Sequence, residues 1–330
     1  MKRKPLIVAL ALAMVAVLAA MPGLAALDQA WPPPLPMASA QSVEVADRDG
    51  KLLRAFAAAD GRWRLPVRLD NVDPEFVRML IVYEDRRFWD HGGVDALAMM
   101  RAAWQMLRHG RIVSGGSTIT MQLARLLEPR SRRSVTAKLR QMVRAVQIER
   151  RLDKRQILEL YLTHAPYGGN LEGVRAASLA WFGKEPKSLD LAQGALLVAL
   201  PQSPERRRPD RYQGRAKAAR DQVLARMAEG GFIDAAEVAR AAAVPVSAKR
   251  LALPAFAAHL AQQARRLRPD AGYHQVTLLR SRQRALELVA SESARQLGPG
   301  LSVAMMLADA QTGQVLAEVG SAGLMDVRRA

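Results

Sequence analysis

The chain has 330 residues, half of them hydrophobic, which gives room for one large or two modest domains. Its 49 Lys and Arg against 31 Asp and Glu give a net charge of +18, a field that suits an anionic partner: nucleic acid, an anionic membrane face or a phosphorylated substrate. The absence of cysteine excludes disulfides, thiolate metal sites and cysteine nucleophiles, and the five histidines show no metal-ligand spacing, so no zinc site is expected.

Met1-Lys2-Arg3-Lys4 precedes an uncharged apolar run from Pro5 to Leu27. That run exceeds the ~7–15 residues of a secretory signal core and reaches the ~20 needed to span a membrane. Its basic flank keeps the N-terminus in the cytoplasm and sends the rest outward. Residues 1–30 are therefore expected to be a cytoplasmic tail and uncleaved anchor. The alternative is a signal cleaved near Ala38-Ser39-Ala40. Trp31 and the prolines after it form a stiff linker, and Ser42 to Phe56 reads as a hairpin turning at Asp49-Gly50. Together these make a linker and hairpin region, 31–71.

Helical periodicity dominates from Pro74 to about Ala242, the body of a domain expected over 72–242. Basic loops at Pro129–Arg133 and Pro201–Pro209 interrupt it. Residues 243–300 are Ala-, Arg- and Pro-rich with a moderate helical pattern and read as a linker. Leu301 to Gly320 alternates like two strands around Gln311-Thr312-Gly313, opening a segment over 301–330.

The densest chemistry lies in Tyr83 to Asp95. It holds four carboxylates (Glu84, Asp85, Asp90, Asp95), His91, two arginines and the Gly92-Gly93 pair. A helix is predicted from Pro74 to Tyr83, so Glu84 sits at its end, beside aromatics. An acid in that setting can be partly desolvated, which tunes it for proton transfer. Alone, the stretch also fits a solvated charged loop. Next, Gly115-Gly116-Ser117-Thr118-Ile119-Thr120-Met121-Gln122 opens a helix. The free N–H groups of such a start bind anions, although an ordinary capped helix has the same pattern.

A helix predicted over Arg133 to Leu152 carries an apolar stripe of Val135, Leu139, Met142, Val143 and Val146. Arg140, Arg144, Gln147 and Arg151 fall on its far side and are expected to be a solvated face. Lys138 and Gln141 are neighbours beside the stripe, and Lys138 reads equally as a phosphate contact or a solvated lysine. Ala96 to Leu107, with Met99, Met100, Trp104 and Met106 beside Arg101, reads equally as a lipid-touching helix or a core helix.

Taken in order, Glu84-Asp85-x-x-Phe88-x-x-His91-x-Gly93, Gly115-Gly116-Ser117-Thr118-Ile119-Thr120-x-Gln122 and Lys154-x-x-Ile157-Leu158-x-x-Tyr161-Leu162 resemble the motifs of the family 51 peptidoglycan glycosyltransferases. Trp181-Phe182-Gly183-Lys184 and Leu200-Pro201-Gln202-Ser203-Pro204 match its later signatures. Met121, Gln141 and the His164–Gly169 loop are most similar to the 1C branch of the class A penicillin-binding proteins. The resemblance implies a mainly α, lysozyme-like glycosyltransferase domain after an N-terminal transmembrane helix. The short C-terminal α/β segment would then open a truncated transpeptidase domain.

The resemblance also implies an activity: polymerisation of lipid II into glycan strands on the outer, periplasmic face of the bacterial cytoplasmic membrane. Glu84 is then the general base. Asp85, Phe88, His91, Gly93, Gly116, Ser117, Thr118, Gln122, Arg125, Lys138 and Gln141 are its substrate-binding set. No cofactor is required, no residue is assigned to a metal, and Mg²⁺ is the cation that can assist. The implied partners are lipid II, the growing glycan strand, the cytoplasmic membrane and other cell wall synthesis proteins. Nucleic acid is not among them, because the basic residues sit on a chain expected to be exported.

Three departures stand out. The family's Arg-Lys-x-x-Glu motif is Ala137-Lys138-Leu139-Arg140-Gln141 here, and an amide at position 141 cannot transfer a proton. Thr163 stands where the family has Asn. No serine has a lysine three positions later, so no transpeptidase activity is expected of this chain. Two other readings stay open: a lysozyme-like hydrolase using Glu84 as an acid, and a non-catalytic lipid II-binding membrane module.

Overall fold

The computed structural model describes residues 28–33, 35, 41–109, 116–128, 134–298 and 301–322. The expected anchor over Pro5–Leu27, Gly115 and the basic loop Pro129–Arg133 lie outside them. Among the described residues no helix is long and apolar enough to cross a membrane. They are mainly helical and fall into two compact units. Of the described residues, one holds those up to 35 and within 66–178 and 184–249; the other holds those within 41–65, 179–183 and 250–322.

The first unit begins with α1 (Pro74–Glu84). Asp73 accepts from the Phe76 N–H at its start, and Pro74 occupies a first-turn position whose N–H would have no helical partner. Phe76, Met79, Leu80, Ile81 and Tyr83 are buried. The helices α2 (Ala96–His109), α3 (Ile119–Leu127), α4 (Val135–Glu149) and α5 (Lys154–His164) follow. After them come α6 (Val174–Phe182), α7 (Leu191–Ala199), α8 (Gln213–Glu229) and α9 (Ala235–Ala243). Asp153, Asp190 and Asp234 open α5, α7 and α9 with reciprocal caps through Gln156, Gln193 and Glu237. Helix α1 packs on α7 and α8, while α3 packs on α4 and α5. The site forms where the C-terminus of α1 meets the N-terminus of α3.

Arg144 and Gln147 of the row on α4 correct the solvated-face expectation, whereas Arg151 is exposed. Arg144 is 3% exposed and Gln147 is fully buried. The Trp31 ring lies under the guanidinium groups of Arg140 and Arg144, at 3.9 and 3.6 Å. Arg144 and Gln147 donate to the Trp31 carbonyl, at 2.8 and 3.1 Å, and Arg151 donates to that of Asp28. Glu128 pairs with both Arg140 and Arg144. The chain before the domain thus covers this face, and a buried guanidinium needs such carboxylate and carbonyl partners. The opposite stripe is only partly apolar core: Met142 and Val146 are buried, while Val135 is exposed.

In the second unit, β1 (Val43–Ala46) and β2 (Leu52–Phe56) form the expected hairpin, with Val43 opposite Phe56. Gly50 turns it at φ +79°, a left-handed value that favours glycine. Helix α10 (Ala258–Leu267), β3 (Tyr273–Gln275) and α11 (Arg280–Leu297) come next. The antiparallel pair β4 (Met305–Ala308) and β5 (Val315–Val319) closes the unit and matches the strands expected after Leu301. Strand β3 pairs with β1 in parallel, Glu44 opposite Tyr273, giving the sheet order β2-β1-β3. The hairpin of 31–71 and segments of 243–300 and 301–330 therefore share one compact unit. Leu53, Ala257 and Leu278 form a core cluster there, and Gln283 of α11 exchanges two hydrogen bonds with the Glu318 backbone.

Candidate active site

An open cleft of about 540 Å³ lies in the first unit, with Glu84 in its lining. Glu84 is the last residue of α1 and only partly buried. The Gln122 amide of α3 donates to Oε2 and the Gln202 amide to Oε1, each at 2.9 Å. Arg207 donates to the Gln202 carbonyl oxygen at 3.3 Å and so fixes which end of that amide faces Glu84. Both carboxylate oxygens accept, and each keeps a lone pair for a further hydrogen bond.

Asp85 also lines the cleft. It accepts from the Ile119 N–H at 2.9 Å and from His91 Nε2 at 3.0 Å, tying the end of α1 to the start of α3. Thr118 caps α3 by accepting from the Met121 N–H, and its hydroxyl donates to the Gly93 carbonyl at 2.6 Å. Phe88 is fully buried under the Lys154 ammonium, 4.6 Å from its ring centroid. Lys154 pairs with Glu149, which also accepts from Thr120. Gly93 has φ +92°, and a Cβ there would stand 2.7 Å from the Ala145 backbone. Phe88, His91 and Gly93 lie outside the lining, and Thr118 reaches it with its hydroxyl already committed. Of these expected substrate-binding residues, Asp85 and Thr118 reach the lining and Phe88, His91 and Gly93 do not. Their polar groups are spent on each other or they are packed too tightly, and they hold the wall that carries the site.

Gly116, Ser117 and Gln122 line the cleft. Lys138, from α4, donates to the Ser117 hydroxyl. Burial first, and then the charge of Arg125, push the Lys138 ammonium down to about 8. Arg125 is exposed, and Gln141 is half-buried one helical turn beyond Lys138; neither lines the cleft. Beneath Glu84, the phenols of Tyr161 and Tyr167 are fully enclosed, with hydroxyls unpartnered among the described residues. Burial, and then the negative charge of Glu84, raise both above the ordinary tyrosine value.

Sequence reasoning left Gln202 out of the site, although it stood in a quoted motif. A lone amide among the buried apolar residues and prolines of Leu200-Pro201-Gln202 was the available signal. It also missed Arg86, Arg101, Arg226 and Phe232, which line the cleft from distant parts of the chain. No group of three or more acidic or histidine side chains among the described residues can hold a metal. Asp85 is committed to His91 and Ile119, and Asp95 to Arg87 and the Ala98 N–H. The site as built does not fit a Mg²⁺ cage.

Comparison with known proteins identifies the family. A family model described as Transglycosylase matches residues 49–228. Penicillin-binding protein 1C of Escherichia coli is 43% identical over 92% of this chain and 39% of its own length. Penicillin-binding protein 1A of Aquifex aeolicus is 38% identical over 68% of this chain and 30% of its own length. The corresponding protein of Pseudomonas aeruginosa is 36% identical over 77% and 31%. The chain thus spans between about a third and two fifths of the relatives it matches. With the model covering more than half of its residues, this chain belongs to the transglycosylase family, the family 51 peptidoglycan glycosyltransferases.

Proposed function

We propose that this chain is a peptidoglycan glycosyltransferase that polymerises lipid II at the outer face of the cytoplasmic membrane. The observation that carries the reading is the Glu84 carboxylate, held at both oxygens by amides and open to a cleft that Ser117 also lines, with Lys138 donating to the Ser117 hydroxyl. Glu84 takes the proton from the 4-hydroxyl of the acceptor sugar. That oxygen bonds to C1 of the donor sugar as the bond from C1 to the lipid pyrophosphate breaks, and the configuration at C1 inverts. Glu84 acts as a general base within hydrogen-bond reach of the attacking oxygen.

The negative charge that grows on the departing pyrophosphate is met by Lys138, with Ser117 and the charge of Arg125 beside it. Gln122 holds Glu84 from the same side. Gln141 is an amide and carries no proton in the reaction. A membrane anchor before Asp28 would keep the cleft beside its lipid-linked substrate, and the +18 charge suits an anionic bilayer.

The test is a polymerisation assay on the detergent-solubilised chain with labelled lipid II. Glycan strands that lysozyme digests are expected. Binding of lipid II without polymer would overturn the enzymatic reading. Release of muropeptides from purified sacculi would mark a hydrolase instead.

A further inference from the structure

The cleft beside Glu84 carries chemistry that the reaction as described does not use. Gln122 approaches Glu84 at Oε2 from α3, while Gln202 approaches at Oε1 from beyond α7. On that second side the wall is made by Tyr83, Arg86, Arg226, Glu229 and Phe232. The Arg226 guanidinium lies over the Tyr83 ring at 4.9 Å, and that of Arg86 over the Phe232 ring at 5.4 Å. Arg78 packs on the same ring at 5.8 Å, donates to the Phe232 carbonyl and is balanced by Glu75.

Arg86 and Arg226 are both exposed, and no ion pair with a carboxylate is seen for either among the described residues. Even with Glu229 on the same wall, this end keeps an excess positive charge. Stacking on a ring fixes a guanidinium's plane while leaving its N–H edge free, the presentation that suits a carboxylate.

Inversion at C1 places the attacking hydroxyl opposite the departing pyrophosphate. With Lys138 on the pyrophosphate side, the acceptor sugar enters from the side of Arg226. We propose that Arg86, Arg226 and Phe232 form a subsite for the acceptor's stem peptide, in which the two guanidinium groups bind a stem carboxylate and Phe232 packs on the peptide's apolar side. The inference rests on the glycosyltransferase reading for its direction, and it adds a specificity-determining element to the same cleft.

The test uses the full chain and a soluble disaccharide-pentapeptide that lacks lipid and pyrophosphate, titrated by calorimetry. Binding is expected to weaken about tenfold when the stem carboxylates are amidated, the size of effect for losing a charge-assisted bond. Arg86→Ala and Arg226→Ala are expected to weaken binding similarly and to abolish the discrimination between free and amidated stems. Arg215→Ala removes one charge elsewhere on α8, where Arg215 lies over Tyr212, and is expected to change neither. Thermal unfolding of each variant reports its folding. Equal binding of free and amidated stems by the parent chain, or discrimination retained in both cleft variants, overturns the proposal. Because the fragment carries no leaving group, these outcomes are read even if polymerisation fails, which would sink the enzymatic reading separately.

Discussion

Gln122 donates its side-chain amide to Glu84 Oε2 across 2.9 Å, joining the N-terminal turns of one helix to the last residue of another. The bond turns a flexible glutamate into a fixed acceptor facing the cleft. Glu84→Gln is expected to lower polymerisation by ~10²–10⁴-fold while leaving the chain folded, since it removes the base, keeps the shape and loses one of the two amide hydrogen bonds. A near-parental rate with the same pH profile would remove Glu84 from its role. Gln122→Ala frees one oxygen, and a smaller loss of about tenfold in kcat is expected, the scale of one hydrogen bond to a charged group.

Lys138 gives a pH prediction whose sign follows from its lowered value of about 8. In the free protein the ammonium is lost as pH rises through about 8, whereas the unfolded chain keeps it up to the ordinary lysine value. Between those limits the unfolded state binds more protons, so stability attributable to this site rises with pH. Substrate binding works in the opposite sense, because pyrophosphate favours the charged form. KM for lipid II is expected to rise above pH 8, and Lys138→Arg to flatten that rise. A KM profile unchanged by the arginine would count against Lys138 as the phosphate contact.

Helix α2 has two distinct faces. Met99 packs against the cluster of Met121, Met142 and Ala145, whereas Leu97, Met100 and Trp104 are each more than half exposed. The exposed three share one helical face with Arg101 and Arg108, an apolar strip edged by cations. Fluorophores at positions 97, 100 and 104 are expected to shift to the blue on addition of anionic bilayers, and a probe at position 105 less so. Spectra indifferent to bilayers at all four positions would speak for a purely structural helix.

The clamp on Trp31 is expected to contribute measurable stability. Trp31→Ala removes two stacked guanidinium contacts, each worth ~0.5–2 kcal/mol, and lowers the midpoint of thermal unfolding. Arg144→Ala should cost more, because it also leaves Glu128 with Arg140 as its remaining ion pair. Equal midpoints for the parent and Trp31→Ala would show that this contact contributes little in solution.

Gly93 is a stringent position. Gly93→Ala places a Cβ against the Ala145 carbonyl in a left-handed backbone, and a loss of about 1–3 kcal/mol is expected. Because Gly93 accepts from Thr118, activity should fall together with stability. Denaturant unfolding alongside the polymerisation assay checks both.

The sequence by itself determined the local elements and pointed to Glu84 as the candidate base. A helix predicted from Pro74 to Tyr83 placed Glu84 at a helix end, and turn chemistry at Gly50 and Gly313 placed both hairpins. Those signals are local, because capping, period and left-handed turns depend on residues a few positions apart. Three features were decided only by tertiary structure. Arg144 and Gln147 look solvent-facing by periodicity, and Trp31, 113 and 116 residues away, buries them. Asp85, Phe88, His91, Gly93 and Thr118 sit in the most chemically suggestive motifs, yet their groups are consumed in joining α1, α3 and α4. Gln202 and Arg226 reach Glu84's cleft from more than a hundred residues downstream. A hydrogen-bonding residue carries no mark of which partner will use it. That choice is made by helix packing, which brings distant side chains within 3 Å and decides which polar groups remain free for substrate.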